Sequence, residues 1–161
     1  MDNIDNINNN STTNSTEYEF DEFEEEVVNY TYAILTPKNG YDNIFAFLGG
    51  ISDVANKYFD LFKGNSTPIQ KKIKIVGLSG KMRIVKFIEM FGYSGSCQGW
   101  FNVDGYGNLL CDNCSDLYDE AKESLNLILD TIDQIAQNEK MSYDKIFLGG
   151  FSQGGIMTNY V

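Results

Sequence analysis

Lys145-Ile146-Phe147-Leu148-Gly149-Gly150-Phe151-Ser152-Gln153-Gly154-Gly155 is the stretch on which the fold of this chain turns. Ile146 to Leu148 is a short run apolar on both faces, as in a strand buried on both sides. The glycines after it suit a sharp change of direction. Gly150-Phe151-Ser152-Gln153-Gly154 fits the pattern G-x-S-x-G, in which small flanking residues let the chain turn and lift a serine hydroxyl clear of a sheet. The bare pattern is weak, so its context carries the weight. That context is a strand before the turn and, after it, Ile156-Met157-Thr158-Asn159-Tyr160-Val161, which can begin a helix.

Working back from that turn, Leu117, Ala121, Leu125, Ile128, Ile132 and Ile135 repeat at three-and-four spacing and predict a helix from about Ser115 to Asn138. Lys72 to Val76 reads as a strand. The stretch beyond it, punctuated by Gly92, Gly95 and Gly99, reads as a surface loop region. Ile44 to Leu48 is a second run apolar on both faces. Ser52 can cap a helix in which Val54, Ala55, Tyr58, Phe59 and Phe62 recur before Gly64 ends it. Val27 to Thr36 is rich in β-branched and aromatic residues and predicts one strand. Residues 1–26 are Asn-rich and then acidic, too poor in apolar area to offset the entropy of ordering, and read as a disordered tail. The alternation implies an α/β domain over 27–161, a mostly parallel sheet with helices on its faces.

The chain has 161 residues, 42% of them apolar, enough for one core. A formal net charge of -11 with no basic block argues against nucleic acid as a partner. No run approaches the about 20 apolar residues of a membrane span, so stable membrane insertion is not expected. The polar start has no signal-peptide pattern, and three cysteines cannot all pair within the chain, so the expected compartment is the cytoplasm. Cys111-Asp112-Asn113-Cys114 has C-x-x-C spacing, but with only Cys97 besides and no histidine it cannot close a zinc site; no metal is expected. Gly77-Leu78-Ser79-Gly80-Lys81 lacks the spacing of a phosphate loop and reads as a strand-end turn.

Lys145 to Gly155 resembles the corresponding stretch of the acyl-protein thioesterase and carboxylesterase/lysophospholipase family of serine α/β-hydrolases. Phe47-Leu48-Gly49-Gly50-Ile51-Ser52-Asp53 is similar to that family's Phe-Leu-His-Gly-Leu-Gly-Asp, and Trp100-Phe101-Asn102 to its Trp-Phe-Asp. The match runs in the family's order from about residue 43 to 161 and covers only the family's N-terminal part. The resemblance implies an α/β-hydrolase fold, C-terminally truncated, without a cofactor. It makes Ser152 the acyl-accepting nucleophile, and the backbone N–H groups of Gln153 and Ile51 the donors of an oxyanion hole. Trp100 and Phe101 become candidates to line an acyl channel, packing beneath a loop being the alternative. The chain departs from the family at Gly49 in place of His, Ser52 in place of Gly, and Ser79-Gly80 in place of Ala-Pro.

The expected activity is hydrolysis of acyl thioesters or carboxyl esters, on an acylated protein or a small acyl ester. In such enzymes the acid and then the histidine follow the serine in chain order. This sequence has no histidine at all. Carboxylates are poor bases toward a serine hydroxyl, and Lys140 or Lys145 would need deep desolvation to act as neutral amines. The chain by itself is therefore expected to be incomplete and inactive, with an unpaired apolar sheet edge at Ile146 to Leu148. The alternative is a non-catalytic hydrolase-like binding or decoy protein.

Overall fold

Asn29 breaks the expected first strand in two. Its Oδ1 accepts hydrogen bonds from both the N–H and the hydroxyl of Thr31, each at 2.8 Å, so the side chain itself makes the turn. A computed structural model describes residues 23–64, 72–85, 92, 95–103 and 114–161. In it the region forms an antiparallel hairpin, β1 (Phe23–Asn29) and β2 (Tyr32–Pro37). β1 thus begins four residues before Val27, and the rest of the expected tail lies outside the described residues. Glu24, Glu25 and Glu26 line the exposed β1, a charged edge that discourages pairing with other chains.

β3 (Asn43–Leu48) and β4 (Ile73–Leu78) run parallel, as do β3 and β7 (Ile146–Gly150), with Ala46 opposite Val76 on one side and Leu148 on the other. The hairpin joins antiparallel through β2 and β4, giving the order β1-β2-β4-β3-β7. The sheet is therefore mixed, because the hairpin that replaced one strand must return antiparallel. Two further strands, β5 (Lys81–Ile84) and β6 (Ser96–Gly99), pair antiparallel where a loop region was expected.

Alternation sorts the sheet's side chains to two faces. On one, Ile44, Leu48, Val76 and Leu78 pack with Ile128 and Ile135 of the long helix α2 (Cys114–Glu139) and with Met157. On the other, Ala33, Leu35 and Ile75 pack with Ala55 and Phe59. Helix α1 (Phe59–Gly64) starts well after the Ser52 cap expected for it. The N–H of Ala55 is spent on Tyr30 O at 3.1 Å, and the residues after it close three-residue turns instead of a helical ladder. α2 ends where Lys140 takes φ 50 and the Met141 N–H reaches back to Ala136 O at 2.9 Å. Among the described residues β7 pairs with β3 alone and is an edge, with Phe147 52% exposed.

Candidate active site

β7 delivers the chain to Phe151 and Ser152, after which helix α3 (Gln153–Met157) begins at once. Ser152 sits at φ 53, ψ -120, left-handed backbone that an L-residue enters only when its surroundings force it. The forcing contacts are close. A Cβ on Gly150 would stand 2.6 Å from the Gly154 carbonyl carbon, and one on Gly154 would stand 2.2 Å from Leu48 O. The Phe151 N–H also bonds to Leu48 O, at 2.9 Å. The turn is thus pressed against the end of β3, and Ser152 is left exposed with its Oγ bonded to no described residue.

The same end of β3 leads into the loop Gly49–Asp53. Its Gly50 lies against the serine: a Cβ there would meet Ser152 Cβ at 3.2 Å. Four of the five N–H groups of this loop have partners. Gly49 donates to Leu78 O at 2.8 Å, Gly50 to Asp53 Oδ2 at 2.7 Å, Ser52 to Gln98 O at 2.8 Å and Asp53 to Gly50 O at 3.3 Å. The Ile51 N–H has none among the described residues. The Gln153 N–H, at the first position of α3, is likewise without an intrahelical partner. The fold therefore brings Ser152, Ile51 and Gln153 to one end of two adjacent strands, with the Ile51 N–H unpaired among the described residues and the Gln153 N–H opening α3.

Asp53, a position without an assigned role in the sequence analysis, organises the loop. It is 2% exposed and accepts from the Gly50 N–H, from the Tyr58 hydroxyl at 2.7 Å and from Lys57 Nζ. Burial opposes its ionisation, but these hydrogen bonds and the Lys57 charge outweigh it and hold the carboxyl below its ordinary value. Burial, and then the bond to Asp53, push the Tyr58 phenol well above its own. Ser52 takes φ 63 with its side chain exposed. Gly49 leaves little room for a larger residue, since a Cβ would stand 3.0 Å from Asp53 Cβ and 3.4 Å from Ser79 Oγ.

Trp100 and Phe101 are buried, at 1% and 3% exposure, in the core between the sheet and α2. Both pack in that core, and Trp100 also borders an open cleft of about 120 Å³ together with Tyr32, Leu78, Ser79 and Ile128. Trp100 is tied down by Nε1–H to Gly49 O at 2.8 Å, while its own carbonyl accepts from the Ser124 hydroxyl. Gln153 is 3% exposed, and its carboxamide engages the backbone of both aromatic residues. Only its main chain had been singled out by the sequence, because the pattern speaks of backbone donors.

Neither lysine weighed as a base stands at the serine's end of β7. Lys140 and Lys145 are exposed and lie before β7, at the strand end away from the serine. Among the described residues, no group of three or more His, Cys, Asp or Glu could hold a metal ion. Cys111 of the C-x-x-C pair lies outside them. No described helix is long and apolar enough to cross a membrane.

A sequence profile of the phospholipase/carboxylesterase family matches residues 30–161. No curated protein matches the chain. Among solved structures, SOBER1 of Arabidopsis thaliana superposes with a TM-score of 0.57 at 18% identity, over 73% of this chain and 53% of that one. Acyl-protein thioesterase 2 of Zea mays gives a TM-score of 0.50 at 23% identity, over 80% of this chain and 49% of that one. The chain spans about half the length of these structures, which share its α/β-hydrolase fold. With a family profile covering most of its length and a sheet of the matching fold, the chain belongs to the phospholipase/carboxylesterase family.

Proposed function

We propose that this chain supplies the nucleophile and oxyanion hole of a serine hydrolase that cleaves acyl thioesters or carboxyl esters. Ser152 accepts the acyl group, and the Ile51 and Gln153 N–H groups stabilise the oxyanion of the tetrahedral intermediate. The observation that carries this reading is the backbone of Ser152. A serine held at φ 53 between a strand and a helix, exposed and with its hydroxyl bonded to no described residue, is what attack on a carbonyl requires.

The 161 residues contain no histidine, so the base that takes the serine proton, and the acid that orients it, come from outside this sequence. β7, with one side free of described partners, is the edge on which such a segment would dock. An acylated protein or a small acyl ester is the substrate class, and three cysteines that cannot all pair support the cytoplasm. The lack of histidine equally favours a second reading, a hydrolase-like module that binds acyl groups without turning them over.

The separating experiment is hydrolysis of a long-chain acyl thioester and of a p-nitrophenyl ester by the protein expressed from its whole coding sequence. Turnover abolished by Ser152→Ala supports the enzyme. Ligand binding that is indifferent to Ser152→Ala, with no turnover, supports the module.

A further inference from the structure

The Gln98–Phe101 segment touches both halves of the candidate oxyanion site. Toward the loop, Gln98 O accepts the Ser52 N–H at 2.8 Å, and the Trp100 indole donates to Gly49 O at 2.8 Å. The free Ile51 N–H lies between those two anchored residues. Toward the elbow, Gln153 Oε1 accepts the Trp100 N–H at 2.7 Å and Gln153 Nε2 donates to Phe101 O at 2.5 Å. Gln153 thus pairs with consecutive backbone groups much as a neighbouring strand would, while its own N–H starts α3. The segment is fixed from behind by the Ser124 hydroxyl of α2 on Trp100 O.

An oxyanion hole works only if its donors are already spaced for the charge that develops, so whatever fixes their spacing governs rate. We propose that the Gln153 carboxamide and the Trp100 indole are positioning groups that set the distance between the Ile51 and Gln153 N–H donors, with Gln98–Phe101 as a splint bridging them. The inference rests on the reading of Ser152 as nucleophile. It assigns Trp100 a different task from lining an acyl channel and makes the Gln153 side chain as consequential as its main chain.

Gln153→Met keeps length and bulk while removing both side-chain bonds. Trp100→Phe keeps an aromatic ring while removing the bond to Gly49. In the 161-residue chain, followed by hydrogen exchange and mass spectrometry, each should speed exchange of the Ser52 amide about tenfold, the worth of one net hydrogen bond, with the Ala46 amide in β3 unchanged. Because Trp100 is the single tryptophan, its emission in Gln153→Met reports the same loosening as a red shift. In the protein expressed from its whole coding sequence, each substitution should lower kcat about 10²-fold with KM nearly constant. Ser52 exchange equal to wild type, or kcat retained in Gln153→Met while Ser152→Ala abolishes turnover, would overturn the splint. Turnover that survives Ser152→Ala sinks the nucleophile reading instead. If no turnover is found in any form, the exchange and emission measurements decide the splint alone.

Discussion

Gly154 lies so close to Leu48 that a Cβ added to it would stand 2.2 Å from the Leu48 carbonyl oxygen and 2.5 Å from that of Gly49. The start of α3 and the end of β3 share one space, with no side chain between them. Backbone cannot yield there as the tip of a flexible side chain would. Gly154→Ala should destabilise the protein by about 3 kcal/mol in urea unfolding, near the upper range for overpacking. Gly155→Ala, whose Cβ would meet Gly150 O only at 3.1 Å, should cost distinctly less. Equal costs would show that the turn can relax away from β3.

Ser52 and Ser152 both hold left-handed backbone, at φ 63 and φ 53. Holding an L-residue there costs roughly 1–2 kcal/mol, of which glycine gives back about half after its own entropy is counted. Ser52→Gly should therefore raise stability by about 0.5 kcal/mol. Ser152→Gly should do the same while removing the proposed nucleophile, whereas Ser152→Ala removes the hydroxyl and keeps the strain. Thermal unfolding of the three variants side by side checks this, and stabilisation by Ser152→Ala equal to that by Ser152→Gly would contradict it.

How far the sequence could be read depended on whether the determinant lay in main-chain pattern or in a particular side-chain bond. Ile44 to Leu48 and Ile146 to Leu148 show their strands as short continuous apolar runs and the stripe from Leu117 to Ile135 shows its helix by periodicity, and the structure has them as β3, β7 and α2. The hairpin within Val27 to Thr36 was hidden because its turn is made by the Asn29 side chain, without Gly or Pro. β6 was hidden because Ser96-Cys97-Gln98-Gly99 contains no β-branched residue, and β5 because Lys81-Met82-Arg83-Ile84 contains just one. The exposed placement of Ser152 on a tight strand-to-helix turn was legible from its glycines. Asp53 and the Gln153 carboxamide were not, since their roles lie in bonds to backbone brought near only by folding.

Asp53 should make stability depend on acid in a particular direction. Its folded carboxyl ionises below the ordinary 3.8: burial works against this, and the bonds from Lys57, Tyr58 and the Gly50 N–H prevail. Protons then prefer the unfolded chain, so the contribution is complete above about 3.8 and is lost as pH falls through the lower folded value. Asp53→Asn should cost about 2 kcal/mol at pH 7 and clearly less at pH 3. An unchanged difference at the two pH values would remove the carboxylate from the account.

Phe147 is 52% exposed on the β7 edge and, with Phe23, Phe45, Phe62, Ile73 and Ile75, lines an open apolar groove of about 330 Å³. Phe151, Ile156 and Tyr160, at 56%, 48% and 67%, add apolar surface beyond it. An unpaired edge flanked by exposed aromatics promotes self-association. The 161-residue protein should elute as concentration-dependent oligomers in light-scattering chromatography, and Phe147→Lys should shift it toward monomer. A wild-type sample that stays monomeric as it is concentrated would contradict this.

The proposed role of Ser152, a nucleophile whose base lies elsewhere, can be probed by labelling with a fluorophosphonate, mapped by mass spectrometry. Positioned general-base help is worth about 10²- to 10⁴-fold, enough to separate the two states of the serine cleanly. The account predicts that the 161-residue chain labels no faster than its Ser152→Ala variant. It also predicts that a C-terminal segment carrying the family's acid and histidine brings labelling to Ser152, lost again in Ser152→Ala. Labelling at Ser152 in the unextended chain, or none once the base is supplied, would contradict it.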